Sequence, residues 1–216
     1  MGTVRASVAV LFALVTATPL ASAQEAVLPK WDAGASFGLF WGDGWQPSLN
    51  GYSDTTNVAY QFDLGRFWTT HVKSDFGVVL TPRRNGYETV ALPFAGVNGP
   101  YAFDSVERSV TAFTGAASYQ FFENDFMHPF VSAGVQMGLA NEHRSRPQQT
   151  YTINRVSYVA PVVDSESREV LARPFVAVGA KSYFNERTFV RSELLVAFKS
   201  GGYSHATLRL GFGVDF

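Results

Sequence analysis

Four histidines, a modest set of carboxylates and no cysteine bound the chemistry open to this 216-residue chain. Without cysteine there is no disulfide framework, no thiolate metal site and no lipid-modified anchor. His71 and His128 each begin an alternating segment, His143 follows Glu142, and His205 follows Ser204. A Ser/His hydrolase or acyltransferase needs nucleophile and base within hydrogen-bond reach. Adjacent residues of an extended strand point to opposite faces, so Ser204 and His205 are expected to diverge. The sequence therefore predicts no catalytic residues. No metal-ligand spacing, phosphate-binding glycine loop or dinucleotide fingerprint occurs, so no cofactor or metal is expected.

A second group of residues carries a clearer message. Lys73 and Asp75, and Arg191 and Glu193, are spaced two apart within runs that alternate with apolar residues. In a strand each pair shares one face. Extending this reading places Asp32, Asp63, Asp75, Glu193 and Asp215 with Lys73, Lys181, Arg191 and Arg209 on the polar faces of several strands. Enclosed charge is costly unless paired and hydrogen-bonded, and this near-balanced set suits a self-paired interior network.

Eight segments show the period-two signal: Trp31–Trp41, Val58–Gly65, His71–Leu80, Val110–Phe121, His128–Leu139, Arg173–Phe184, Phe189–Phe198 and Thr207–Phe216. In the last, Leu208, Leu210, Phe212, Val214 and Phe216 form one wholly apolar row, with Thr207, Arg209, Gly211, Gly213 and Asp215 opposite. Connections near Phe67–Thr69, Glu123–Asp125 and Asn185–Arg187 are brief. Gly42–Asn57, Thr81–Val106 and Ala140–Val170 are long, and Lys199–Ser204 is short. Tyr87–Phe94 and Tyr101–Val110 have the composition to lengthen the third and fourth strands. Phe67, Trp68, Phe121, Phe122, Phe126, Tyr183, Phe184 and Phe189 gather at the brief turns, with Trp31 and Phe216 at the two ends. Such rings favour a membrane–water interface. Trp41, Tyr60 and Phe198 are candidates for the opposite interface.

The N-terminus reads as a cleaved signal peptide over residues 1–23: Arg5, an apolar stretch from Val8 to Val15, then Ala21-Ser22-Ala23. A short segment, 24–30, precedes a single domain over 31–216. Removing the leader takes Arg5 and no acidic residue, leaving 16 basic against 18 acidic side chains, a charge of −2. That balance argues against nucleic-acid binding. Beyond the leader no apolar run approaches the roughly 20 residues of a membrane helix, so any crossing must use a closed barrel.

These inward charges and the closing Leu208–Phe216 row resemble the small eight-stranded outer-membrane β-barrel superfamily, the OmpA-barrel and OmpX-like group. The resemblance covers the chain beyond the leader through pattern rather than an identifying motif. It implies an all-β, eight-stranded antiparallel up-and-down transmembrane β-barrel in the bacterial outer membrane. It also implies that Leu208, Leu210, Phe212, Val214 and Phe216 form the signal read by the barrel-assembly machinery. No peptidoglycan-binding domain is expected after the barrel. An eight-stranded interior is just wide enough to be filled by side chains. The expected role is therefore structural or surface interaction through the long loops, as a monomer, with outer-membrane lipid and lipopolysaccharide as partners. His143, Arg144, Arg146 and Arg155 are a basic group that suits lipopolysaccharide. A small porin or hydrophobic-ligand conduit is the alternative, and a lipid A-modifying enzyme a further one.

Overall fold

The computed structural model describes residues 30–42, 57–92, 101–121, 126–153 and 155–216. Residues 1–23, expected as a leader, most of the segment 24–30, the Glu123–Asp125 turn, most of Gly42–Asn57 and part of Thr81–Val106 lie outside them. Eleven strands run through the described residues: β1 (Trp31–Gly42), β2 (Asn57–Phe67), β3 (Val72–Leu80), β4 (Arg84–Ala91), β5 (Tyr101–Gln120), β6 (Met127–Arg146), β7 (Gln149–Ile153), β8 (Val156–Ala160), β9 (Val163–Tyr183), β10 (Thr188–Lys199) and β11 (Gly202–Asp215). Eight of them, in the order β3-β2-β1-β11-β10-β9-β6-β5, close on themselves through a β3–β5 pairing. Every neighbouring pair in this ring is antiparallel.

The ends of the chain complete the ring. β1 pairs with β11 from Asp32↔Asp215 to Gly42↔His205. Trp31 N donates to Phe216 O at 2.9 Å, and Phe216 N returns a bond to Trp31 O at 2.8 Å. The ring therefore leaves no unpaired strand edge at hydrocarbon depth, the condition a strand-built membrane span must meet. At the brief turns, Asn185 Oδ1 accepts from the backbone of Arg187 and Thr188 at 3.0 and 2.8 Å. Thr69 Oγ1 does the same for His71 and Val72. Polar side chains that mimic the missing backbone partner hold these turns tight.

Sidedness is the reverse of a soluble barrel. Phe62, Phe76, Phe113, Val178 and Phe212 point outward and are more than half exposed, while Lys73, Lys181 and Glu193 are at most 2% exposed. On β6 the outward apolar row runs from Val131 to Leu139. Its eight steps, at about 3.3 Å each and tilted by roughly 40°, span about 20 Å of height. That is comparable with the apolar band of an outer-membrane barrel. This chain is an eight-stranded antiparallel transmembrane β-barrel.

Two of the connections expected to be loops are largely strand. β5, β6 and β9 have 20, 20 and 21 residues, about twice the span that hydrocarbon requires. With β4 they rise past the barrel rim as a four-stranded blade, capped by the β7–β8 hairpin. The Ala140–Val170 segment concealed this because its β9 part, 164–170, is exposed at every residue. Runs such as Asp164-Ser165-Glu166-Ser167-Arg168 carry no alternating apolar row to read. β4 continues β3 after a break. Leu80 pairs with Thr111 and Arg84 with Arg108, which leaves one extra residue around Pro82. Proline has no N–H to donate, so the ladder is interrupted there. Thr81 anchors the break, its N and Oγ1 bonding Val110 O and N at 2.9 and 2.8 Å.

Candidate functional site

The interior and the blade are the two places where polar side chains are organised. All nine charged residues expected to face inward occupy one connected network at the turn side of the lumen. Lys181 donates to Asp32 and reaches Asp215 at 3.3 Å. Lys73 bridges Asp32 and Asp75 at 2.7 and 2.6 Å. Arg191 lies 3.8 Å from Asp75 and 2.6 Å from Glu193. Glu193 accepts from Arg209, Arg209 donates to Gln61, and Gln61 donates to Asp63. Tyr183 OH donates to Asp215 at 2.6 Å, and Ser118 Oγ to Asp75. Side chains from β1, β2, β3, β5, β9, β10 and β11 are thus tied together across the lumen.

Aromatic rings line this floor. Phe189 lies under the Lys181 ammonium at 4.0 Å and Phe67 at 5.1 Å, while Phe130 faces the Arg191 guanidinium at 4.8 Å. Three rings expected in the interfacial girdle are therefore interior: Phe67, Tyr183 and Phe189. Each stands at a strand end on the polar-facing parity, where composition cannot tell a girdle ring from a plug ring. Trp68, Phe121, Phe126, Phe184 and Phe216 do face outward, as do Trp41, Tyr60 and Phe198 at the other rim. Phe122 lies outside the described residues. Bare Cα atoms make the packing possible. A Cβ on Gly65 would lie 2.0 Å from Asp32 Oδ1, and one on Gly213 would lie 2.3 Å from the Phe189 ring.

Above the network the lumen turns apolar. Phe40, Ala59, Val79, Val110 and Ala112 form one buried cluster, and Phe175, Ala177, Leu195 and Ala197 another. Between the polar and apolar layers lies a cavity of about 20 Å³, touched by Gln61, Gln136, His205, Thr207 and Arg209. That is room for about one water molecule. Gln136 Oε1 is buried beside it with no partner among the described groups. This apolar layer went unread because inward Phe40 and Leu195 interrupt otherwise polar rows.

Ser204 and His205 are the clearest departure from expectation. Both are buried, and Ser204 Oγ lies 3.1 Å from His205 Nδ1. Arg173 donates to Ser204 Oγ. The cause is a β-bulge: Ala197 pairs with His205 and Phe198 with Tyr203, leaving Ser204 as an extra residue. A bulge re-aims side chains, so the two neighbours turn to the same interior. Arg173 was not among the inward residues expected, because it begins its apparent segment next to a proline. His71 and His128 lie at the turn side, where His71 Nδ1 meets Gln120 O at 2.9 Å. No group of three or more His, Asp or Glu among the described residues is arranged to hold a metal.

On the blade, the face continuous with the lumen carries a second charged cluster. Arg108 Nε donates to Glu142 at 2.8 Å. Arg144 engages Glu88, with Asp104 and Glu142 each at 3.4 Å, and Arg146 lies 3.3 Å from Asp104. On the opposite face His143 Nε2 bonds Asp164 at 2.9 Å. That hydrogen bond, helped by the Glu107 and Glu166 carboxylates, raises the His143 pKa above the ordinary imidazole value. Three of the four residues proposed as a basic surface are therefore engaged by acids. Arg155 remains exposed at the hairpin tip, with φ of 65°.

The architecture shares its fold with solved small outer-membrane β-barrels. Ail, the attachment invasion locus protein of Yersinia pestis, superimposes with a TM-score of 0.52 and 12% identity, over 88% of this chain and 100% of that one. Neisserial surface protein A gives 0.52 and 11%, over 87% and 97%. At such identities the likeness is one of fold. No protein-family model matches the sequence, and no curated relative does.

Proposed function

We propose that the protein resides in the bacterial outer membrane as a closed, structural barrel that displays the blade outside the cell. The observation that carries this reading is the filled lumen, whose cavity holds about one water molecule between an ionic floor and an apolar upper layer. A conduit needs a continuous path, and a substrate for Ser204 and His205 needs space beside them. Among the described residues neither is seen, which favours the closed barrel over the pore and enzyme alternatives. The working surface is the blade, a sheet that continues the barrel wall past its rim. Among the described residues its two edges take no further strand: β4 pairs with β5 only, and β9 above Phe175 with β6 only. Asp164, Glu166, Arg168 and Glu169 charge the β9 edge, which discourages indiscriminate strand addition. The exposed outward row Leu208, Leu210, Phe212, Val214 and Phe216 supports its reading as the assembly signal.

Two measurements test the reading. In planar bilayers the refolded protein gives no discrete conductance steps; steps would overturn the closed lumen. Trypsin added to intact cells cuts at Arg155 on the hairpin tip and spares Arg187 in the opposite turn. Cleavage at Arg187 with Arg155 protected would invert the orientation.

A further inference from the structure

Where the ionic floor gives way to the apolar layer, two buried polar atoms have no hydrogen-bond partner among the described residues: Arg209 Nε and Gln136 Oε1. Arg209 is 7% exposed and Gln136 4%, and both line the cavity of about 20 Å³. Native interiors seldom leave such atoms unpaired. The rest of the Arg209 guanidinium is engaged, one amine donating to Gln61 and the other to Glu193. Arg191, on the neighbouring strand, provides the contrast, because its Nε does donate to Glu193, at 2.9 Å. Gln136 cannot move to close the gap by itself. At its level β6 is paired on both sides, with Thr114 of β5 and with Arg173 of β9. The two atoms are complementary: the Nε–H only donates, and the amide oxygen only accepts.

We infer that the one water molecule this cavity can hold is a fixed bridge, accepting from Arg209 Nε and donating to Gln136 Oε1. Size and chemistry select water together. The cavity admits about one probe sphere, which excludes larger solutes. A halide could take the Arg209 proton but has none to give Gln136. A cation could take the Gln136 oxygen but would face the Arg209 guanidinium. Water serves both, and the Thr207 hydroxyl on the cavity wall can donate or accept a third bond. Phe40, Val79 and Leu195 wall other sides and offer no side-chain hydrogen bond in its place. The bridge extends the chain Asp63–Gln61–Arg209 from β2 and β11 across the lumen to β6, whose Phe130 ring faces Arg191 lower in the floor. The assignment rests on the closed lumen proposed above and names the solvent component of its plug.

The test uses the whole isotope-labelled barrel refolded in detergent micelles, with rotating-frame cross-peaks between water and guanidinium protons as the readout. In the wild type the Arg209 Nε–H gives a cross-peak of dipolar sign, opposite to that of proton exchange, and the Arg191 Nε–H gives none. Gln136→Met, which keeps the side chain's length without its acceptor, loses the Arg209 cross-peak. Gln136→Asn keeps the carbonyl and with it the cross-peak. Unchanged heat-modifiable gel migration establishes that each variant is folded. Crystals of the wild type grown in sodium bromide show a solvent peak in the cavity without anomalous signal. A missing wild-type cross-peak, one that survives Gln136→Met at full strength, one lost equally in both variants, or an anomalous peak in the cavity would overturn the bridge. Failure of the closed lumen reads out separately, as conductance steps in planar bilayers.

Discussion

The floor of the lumen and the blade both consist of crossed ion pairs on adjacent strands, yet they differ in what surrounds them. Lys73, Lys181 and Glu193 have side chains at most 2% exposed and are enclosed by a ring of paired strands. Arg108, Glu142, Arg144 and Glu88 have side chains 13–29% exposed on a sheet whose two edges take no further strand among the described residues. In the floor an orphaned charge has nowhere to go, because neither water nor strand movement can reach it. At these four blade residues water can take the place of a lost partner, whereas Asp104 and Arg146 beside them are enclosed. The same chemistry is therefore structural in one region and adjustable in the other.

That contrast is sharpest at Lys181. Lys181→Ala leaves Asp215 with only Tyr183 and strips one of two ammonium groups from Asp32. Breaking a buried ionic network of this kind costs about 3–5 kcal/mol, read as a lowered urea midpoint for unfolding from vesicles. An unchanged midpoint would mean that water enters the floor. Gly65→Ala ranks next. Its Cβ would displace the Asp32 carboxylate from Lys73 and Lys181, for a loss of about 1–3 kcal/mol in the same assay. Glu142→Gln on the blade is expected to cost about 1 kcal/mol or less, with the barrel transition intact. A floor-sized effect there would erase the distinction between the two regions.

The smallest effect is at His143. Asp164 raises its pKa in the folded state, so the pairing contributes fully below the unfolded imidazole pKa. The contribution is lost as pH rises through the folded value. Hydrogen exchange of the β6–β9 backbone above Leu139 should therefore be faster at pH 8 than at pH 6 after correction for intrinsic rates. His143→Gln should abolish that pH dependence without changing exchange in the floor strands.

Much of the barrel was legible before any coordinates. Apolar and charged residues alternate at Lys73–Leu80 and Leu208–Phe216 because each strand there has one face in hydrocarbon and one enclosed, and period two records that asymmetry. The nine floor charges were legible for the same reason. The rows failed where a residue faced the interior for other reasons. Phe67 and Phe189 are apolar yet line the ionic floor, because a ring can lie under an ammonium. Phe40 and Leu195 fill space that charges were expected to fill.

Sequence by itself determined the membrane-facing wall, its sidedness and the identity of the floor charges, since these follow from a local rule that each strand obeys separately. Tertiary structure alone decided the partners within the floor, the inward turn of Ser204 beside His205, and the β6–β9 half of the blade; the part built from Tyr87–Ala91 and Tyr101–Val110 was legible as an extension of the third and fourth strands. Partners depend on stagger between strands far apart in the chain, a bulge depends on one extra residue relative to a neighbour, and a stretch such as Asp164–Arg168, exposed at every residue, leaves no apolar row.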